Sequence, residues 1–195
     1  MNTELATLTA NDIPAYLSDD ERIELPNGWY ATVRIEYDDS MGEPWKEHDG
    51  HGEVSEWTTR DKRPGERILH SDRGSHRYYD FAGAVELARK DGWGCSHVTT
   101  MDELHAHNGH ATAREMAACA AQQDFDRLRA WCNDQWQWIG VIVAVYDAGG
   151  EKVADDSLWG IESDGDYWRT VAAENINTII EGLIVPSHVA VGVAS

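Results

Sequence analysis

Nine consecutive residues, Trp138 to Tyr146 (WIGVIVAVY), constrain this chain more than any other stretch. Branched side chains crowd the preceding turn of a helix but sit well on a pleated surface. No charge interrupts the run, so it reads as the central strand of a sheet, covered on both faces. The turn Ala148-Gly149-Gly150 follows, and a partner strand near Ser157 to Ile161 completes an antiparallel hairpin. Upstream, Trp29, Ala31, Val33, Ile35 and Tyr37 alternate with Tyr30, Thr32, Arg34 and Glu36. A period of two predicts a half-buried strand.

Three helices are expected. Asp80 is placed as an N-cap, with Phe81, Ala84, Val85 and Ala88 on one face and Gly92 as the stop. Thr112 and Glu115 are spaced as a capping box, ahead of a stripe through Ala117, Ala121, Phe125, Leu128, Trp131 and Cys132. Ser163-Asp164-Gly165-Asp166 caps the third, whose stripe is Trp168, Val171, Ala172, Ile176, Ile179, Ile180 and Leu183. Ile68 and Leu69 open a short strand before the Asp72-Arg73-Gly74 turn, and the residues from Pro186 form a tail or an edge strand. Residues 38–65 are rich in Gly, Asp, Glu, His and Trp without a sustained period, which predicts a long loop anchored by Trp45 and Trp57. Residues 1–27 read as a polar arm with a helical turn near Ile13 to Leu17, ending at Pro26-Asn27-Gly28. The expectation is an α+β domain over 1–195, with room for a long insertion. Its small antiparallel sheet would hold about three strands under about three helices.

The formal net charge is −19, with half of all Lys and Arg inside residues 60–90. Such an acidic total weighs against wrapping nucleic acid, whose phosphates demand clustered bases. It suits a partner with a basic surface, or simple solubility. Cys95, Cys119 and Cys132 form no C-x-x-C, and an odd, sparse set predicts reduced thiols. The first residues lack the basic start and apolar core of a signal peptide, and no run reaches the roughly 18 apolar residues of a membrane span. The expected location is the cytoplasm, without membrane attachment.

Several groups could carry chemistry. His105, His107 and His110 are partly similar to the H-x-H-x-D-H zinc pattern of the metallo-β-lactamase fold, although Gly109 stands where the aspartate belongs. His48, Asp49 and His51 form a second potential ligand group. If the two met, zinc or another divalent ion would follow; otherwise no cofactor is expected. G-x-S-x-G, G-x-G-x-x-G and G-x-x-x-x-G-K-[ST] are all absent, which argues against nucleophile-elbow and ordinary nucleotide enzymes. Arg60, Lys62, Arg63, Arg67, Arg73 and Arg77, interleaved with His70, His76, Tyr78 and Tyr79, could contact phosphates and stack on bases, or pair with carboxylates of the chain. The acids Asp38, Asp39, Glu43, Glu47, Asp49, Glu53 and Glu56 could form a surface like the phosphate track of DNA, which carries one charge per roughly 1.7 Å of axis.

The blocks P-W-x-x-H-D-G-H-G-x-V-S-x-W-T-T-R (from Pro44) and D-R-G-S-x-R-x-Y-D-F (from Asp72), with W-C-N-D-x-W at 131–136 and S-L-W-G-I-E-S-D at 157–164, resemble small proteins of tailed bacteriophages and prophages. The blocks fall between residues 44 and 164. The resemblance brings no catalytic residue with it. It implies an accessory protein that binds host machinery stoichiometrically: an inhibitor or modulator of a host DNA-binding or defence system, of anti-restriction or anti-CRISPR type. Its partner would be a host protein or complex with a basic nucleic-acid-binding surface, contacted through the acids above with Trp45 and Trp57. Direct nucleic-acid binding is not expected, and a homodimer stays open. The rivals are a metal-dependent hydrolase of nucleotides or nucleic acid, using both histidine groups, and a nucleic-acid accessory module using residues 60–77.

Overall fold

The computed structural model of the chain describes residues 7–18, 21–93 and 112–184. In chain order the elements are β1 (Ile23–Glu24), β2 (Tyr30–Tyr37), α1 (Pro44–Glu47), β3 (Glu66–Asp72), β4 (Ser75–Asp80), α2 (Phe81–Asp91), α3 (Ala113–Cys132), β5 (Trp138–Tyr146), β6 (Lys152–Glu162) and α4 (Tyr167–Ile184). The class is α+β. Two compact units divide the chain: Met1–Met41 with Gln137–Ser195, and Gly42–Trp136.

The first unit is a four-stranded antiparallel sheet in the order β1-β2-β5-β6 with α4 against one face. Ala31 and Val33 of β2 sit opposite Val145 and Val143 of β5, so the alternation of both strands places these residues on one face. They are buried with Val171, Ala172 and Ile176 of α4. Each fully buried valine contributes about 1.5–3 kcal/mol. The N-terminal arm belongs to this core, which corrects its reading as a polar arm. Ile13 is 0 % exposed. Its carbonyl accepts from Arg169 at 2.6 and 2.8 Å, and the Asn177 amide exchanges two 2.9 Å bonds with the Leu8 backbone.

β5 occupies the expected residues, but its second face, with Ile142, Ala144 and Tyr146, is only half-buried. β6 is longer than the expected 157–161 and departs from regular pairing near both ends. Near one irregularity the Trp159 indole lies over Gly140, where a Cβ would come within 2.3 Å of the ring. Ile35 and Tyr37, expected on the buried face of β2, are 37 % and 67 % exposed.

The second unit holds the β3–β4 hairpin, turned by Arg73 and Gly74 at positive φ, with α2 and α3. Both helices begin where their caps predict, and α2 also ends at its expected stop. Asp80 accepts from the Gly83 N–H at 2.9 Å, Gly92 closes α2 at φ 71°, and Thr112 and Glu115 form the reciprocal capping box of α3. Small residues line the inner faces, Ala84 and Ala88 on α2 and Ala117, Ala120 and Ala121 on α3, all buried. Leu69, Tyr79, Phe125, Leu128 and Cys132 build the larger part of this core.

Six strands in two sheets and four helices among the described residues replace the expected three and three. The excess comes from the short β1, from the β3–β4 hairpin, of which only a short strand at Ile68 and Leu69 was expected, and from α1. Residues 38–65 also form less of a loop than expected, because α1 and two β-bridges lie within them. Cys119 is disulfide-bonded while Cys132 is free and buried, which corrects the expectation of three reduced thiols. Sequence spacing was the wrong guide there, since a bridge needs only two Cα atoms at the right distance in space. No helix among the described residues is long and apolar enough to cross a membrane.

Candidate functional site

The segment 43–58 of the second unit carries seven of the nine expected contact residues, and the hairpin holds it in place. Val54 and Thr58 bridge to Tyr79 and His76 of β4 in antiparallel fashion. Ser55 N–H donates to the Tyr78 carbonyl at 2.8 Å, Asp80 N–H to the Glu53 carbonyl at 2.9 Å, and Thr58 and His76 exchange bonds of 2.8 and 2.9 Å. The segment thus acts as an irregular third strand. Backbone pairing satisfies groups that a water-exposed loop would leave to solvent.

A second fastening comes from α3. Asp124 Oδ1 accepts from His51 Nδ1 at 2.5 Å. Its Oδ2 accepts from the Gly52 N–H at 2.8 Å and the Tyr79 hydroxyl at 2.6 Å. An ionised carboxylate can only accept, which puts a proton on His51 Nδ1. Both side chains are nearly buried, at 7 % and 9 % exposure. Burial pushes the Tyr79 hydroxyl far above the ordinary tyrosine range, and the Asp124 carboxylate reinforces the effect. The glycine is required by contact. A Cβ on Gly52 would stand 2.4 Å from the Tyr79 ring.

At the other end of the segment Glu43 ion-pairs with Arg77 and with Lys46, the latter at 2.8 Å. Burial raises the Glu43 carboxyl, but hydrogen bonds from Arg77 and Lys46 outweigh it and hold the group below its ordinary value. The Arg77 guanidinium lies 5.1 Å from the ring centroids of both Trp45 and Trp57. Trp45 in turn meets Trp131 edge to face at 5.5 Å. Beneath them, burial pushes the Cys132 thiol up to about 11, which makes it a packing group rather than a nucleophile.

The expected contact residues therefore divide. Glu47, Asp49, Glu53 and Glu56 are exposed, and Trp57 is 42 % exposed beside them. Glu43 and Trp45 serve the interior. Asp38 and Asp39 belong to the first unit. Asp38 is buried, accepting from Ser40 and from the Gly160 N–H at 3.0 Å, and the Ser40 hydroxyl foremost holds its carboxyl below the usual range. Asp39 is exposed.

Of the six basic candidates, four have partners within the unit, Arg73 only through an exposed 3.9 Å approach to the adjacent Asp72. Arg60 makes a two-pronged bond to Glu66 at 2.6 and 2.7 Å, and this guanidinium holds the Glu66 carboxyl down at about 2. Arg67 lies over Phe81 at 3.3 Å and donates to Gln122. Arg77 is enclosed as described. Lys62, Arg63 and Arg73 are exposed. His48 and Asp49 are also exposed, and no group of three metal-ligating side chains occurs among the described residues. His105, His107 and His110 lie outside the described residues.

Sequence reasoning missed Asp124, although one signal was present. Position 124 follows Ala121 by three and precedes Leu128 by four, so a carboxylate stands on the apolar stripe of α3. A buried carboxylate demands donors. No protein-family model, curated protein or solved structure matches the chain.

Proposed function

We propose that the chain is a phage-encoded, stoichiometric binding protein that inhibits or modulates a host DNA-binding or defence system, of anti-restriction or anti-CRISPR type. It presents acids to a basic nucleic-acid-binding surface of the host protein. One observation carries the reading: Glu47, Asp49, Glu53 and Glu56 are exposed on a segment held by β4 and Asp124, and the same segment carries the half-exposed Trp57. A fixed backbone lowers the ordering cost of association, and a tryptophan ringed by polar groups is a common hot spot. Opposite potentials would steer the encounter.

The contact set is accordingly narrower than the sequence implies: these four acids with Trp57. The variant E47K/D49K/E53K/E56K should lose capture of a host complex from nuclease-treated lysate while keeping its circular dichroism spectrum. Undiminished capture by this variant would remove the surface from consideration.

A second reading rests on His51. Its Nδ1 is held by the Asp124 carboxylate, the arrangement that orients a general-base or metal-ligating histidine, which supports a hydrolase of nucleotides or nucleic acid. Untagged protein should then bind zinc or manganese near one equivalent and hydrolyse a nucleotide or nuclease substrate, with both properties lost in H51A. Sub-stoichiometric metal together with absent hydrolysis would end this reading.

A further inference from the structure

We propose that the cleft between α2 and α3 binds a small amphiphilic anion, independently of the acidic segment. The cleft holds about 490 Å³, within the range of small-molecule sites. Phe81, Val85 and Ala118 supply apolar lining, and Arg89, Arg114 and Glu86 are the charged groups. Two guanidinium groups against one carboxylate leave the site cationic.

That excess is unusual in this chain, where 35 acids outnumber 16 Lys and Arg. Arg60 and Arg77 have carboxylate partners and Arg67 a glutamine. Arg89 and Arg114 have no partner among the described residues. Arg89 sits in the last turn of α2, where the helix dipole favours a cation. Arg114 sits in the first turn of α3, where the same dipole opposes one. A residue placed against a local rule, beside a second unpaired arginine and over an apolar floor, is explained by a ligand that rewards it. The ligand chemistry follows from the lining: a carboxylate, sulfonate or phosphate between the arginines, and an apolar or aromatic body along Val85, Ala118 and Phe81.

The test is a fluorescence titration of the full chain with 8-anilinonaphthalene-1-sulfonate, which joins an aromatic body to one anionic group. Saturable one-to-one binding is expected, weakened about tenfold or more in R89Q/R114Q, since charge-assisted bonds are the strong ones. A118W fills the floor without altering charge and should also abolish binding. R89Q/R114Q lies on exposed helix surface and carries the test even where A118W does not fold. Competition by laurate or by adenosine monophosphate tells an alkyl from an aromatic ligand, and displacement by either supports the site. Absence of saturable binding, equal affinity in R89Q/R114Q, or displacement only by duplex DNA would overturn the proposal.

Discussion

Replacing Asp124 with alanine should lower the stability of the second unit by about 3–5 kcal/mol. The estimate follows from what the substitution strands. His51 Nδ1–H, the Gly52 N–H and the Tyr79 hydroxyl all lose their acceptor at once. Tyr79 is 0 % exposed, so its hydroxyl keeps only the long 3.4 Å approach to the Ala121 carbonyl. An unsatisfied buried donor costs about 1–3 kcal/mol. The neighbouring Asp126 is exposed on the same helix, and its removal should cost under about 0.5 kcal/mol. Guanidinium denaturation of the two variants makes the comparison. H51A should be milder than D124A, because it leaves the carboxylate with two donors. A loss below about 1 kcal/mol for D124A would mean that water reaches the three donors. The same variant bears on function. With the fastening gone, segment 43–58 should exchange its amide hydrogens faster, and any partner recognising Glu53, Glu56 and Trp57 should bind less tightly.

What was legible in this sequence was what local rules decide. The strand at 138–146, the Asp80 N-cap and Gly92 stop of α2, the capping box of α3, and the stripe of α4 follow from side-chain branching, hydrogen-bond reach and period. Each involves residues within a few positions of one another. β4 was missed for a different reason. In Ser-His-Arg-Tyr-Tyr-Asp the residues Arg77, Tyr78 and Tyr79 are all buried. Successive side chains point to opposite faces, so burial of all three means both faces are covered and no alternation survives to be read. The candidate site was less legible still. Its acids could be named from composition, but not their division into exposed Glu47 and Glu56 and enclosed Glu43. That division depends on Arg77, which lies 34 positions from Glu43, and on Asp124, which lies 73 from His51.

Arg77 makes the contrast testable. Its sequence context, between His76 and Tyr78, suggested a phosphate contact. In the fold its side chain is 8 % exposed, paired with Glu43 and flanked by Trp45 and Trp57. Arg77→Ala should therefore cost about 3–5 kcal/mol, as expected when one partner of a buried pair is removed. Two losses add. Glu43 is left with Lys46 alone, and the space between the two indoles opens into a cavity. Arg77→Met separates them, because it refills the volume and removes only the charge. Combined with Glu43→Gln it should recover most of the stability, since a buried ion pair replaced by neutral groups of similar size is often near neutral. A double-mutant cycle over Glu43 and Arg77 then isolates the pair, with a coupling of roughly 1–3 kcal/mol expected. A phosphate-contacting arginine would behave in the opposite way. Its loss would leave the unfolding transition in place and flatten the salt dependence of nucleic-acid binding by about one phosphate contact. Retained stability in Arg77→Ala would thus overturn the structural assignment and return residues 60–77 to consideration as a binding surface.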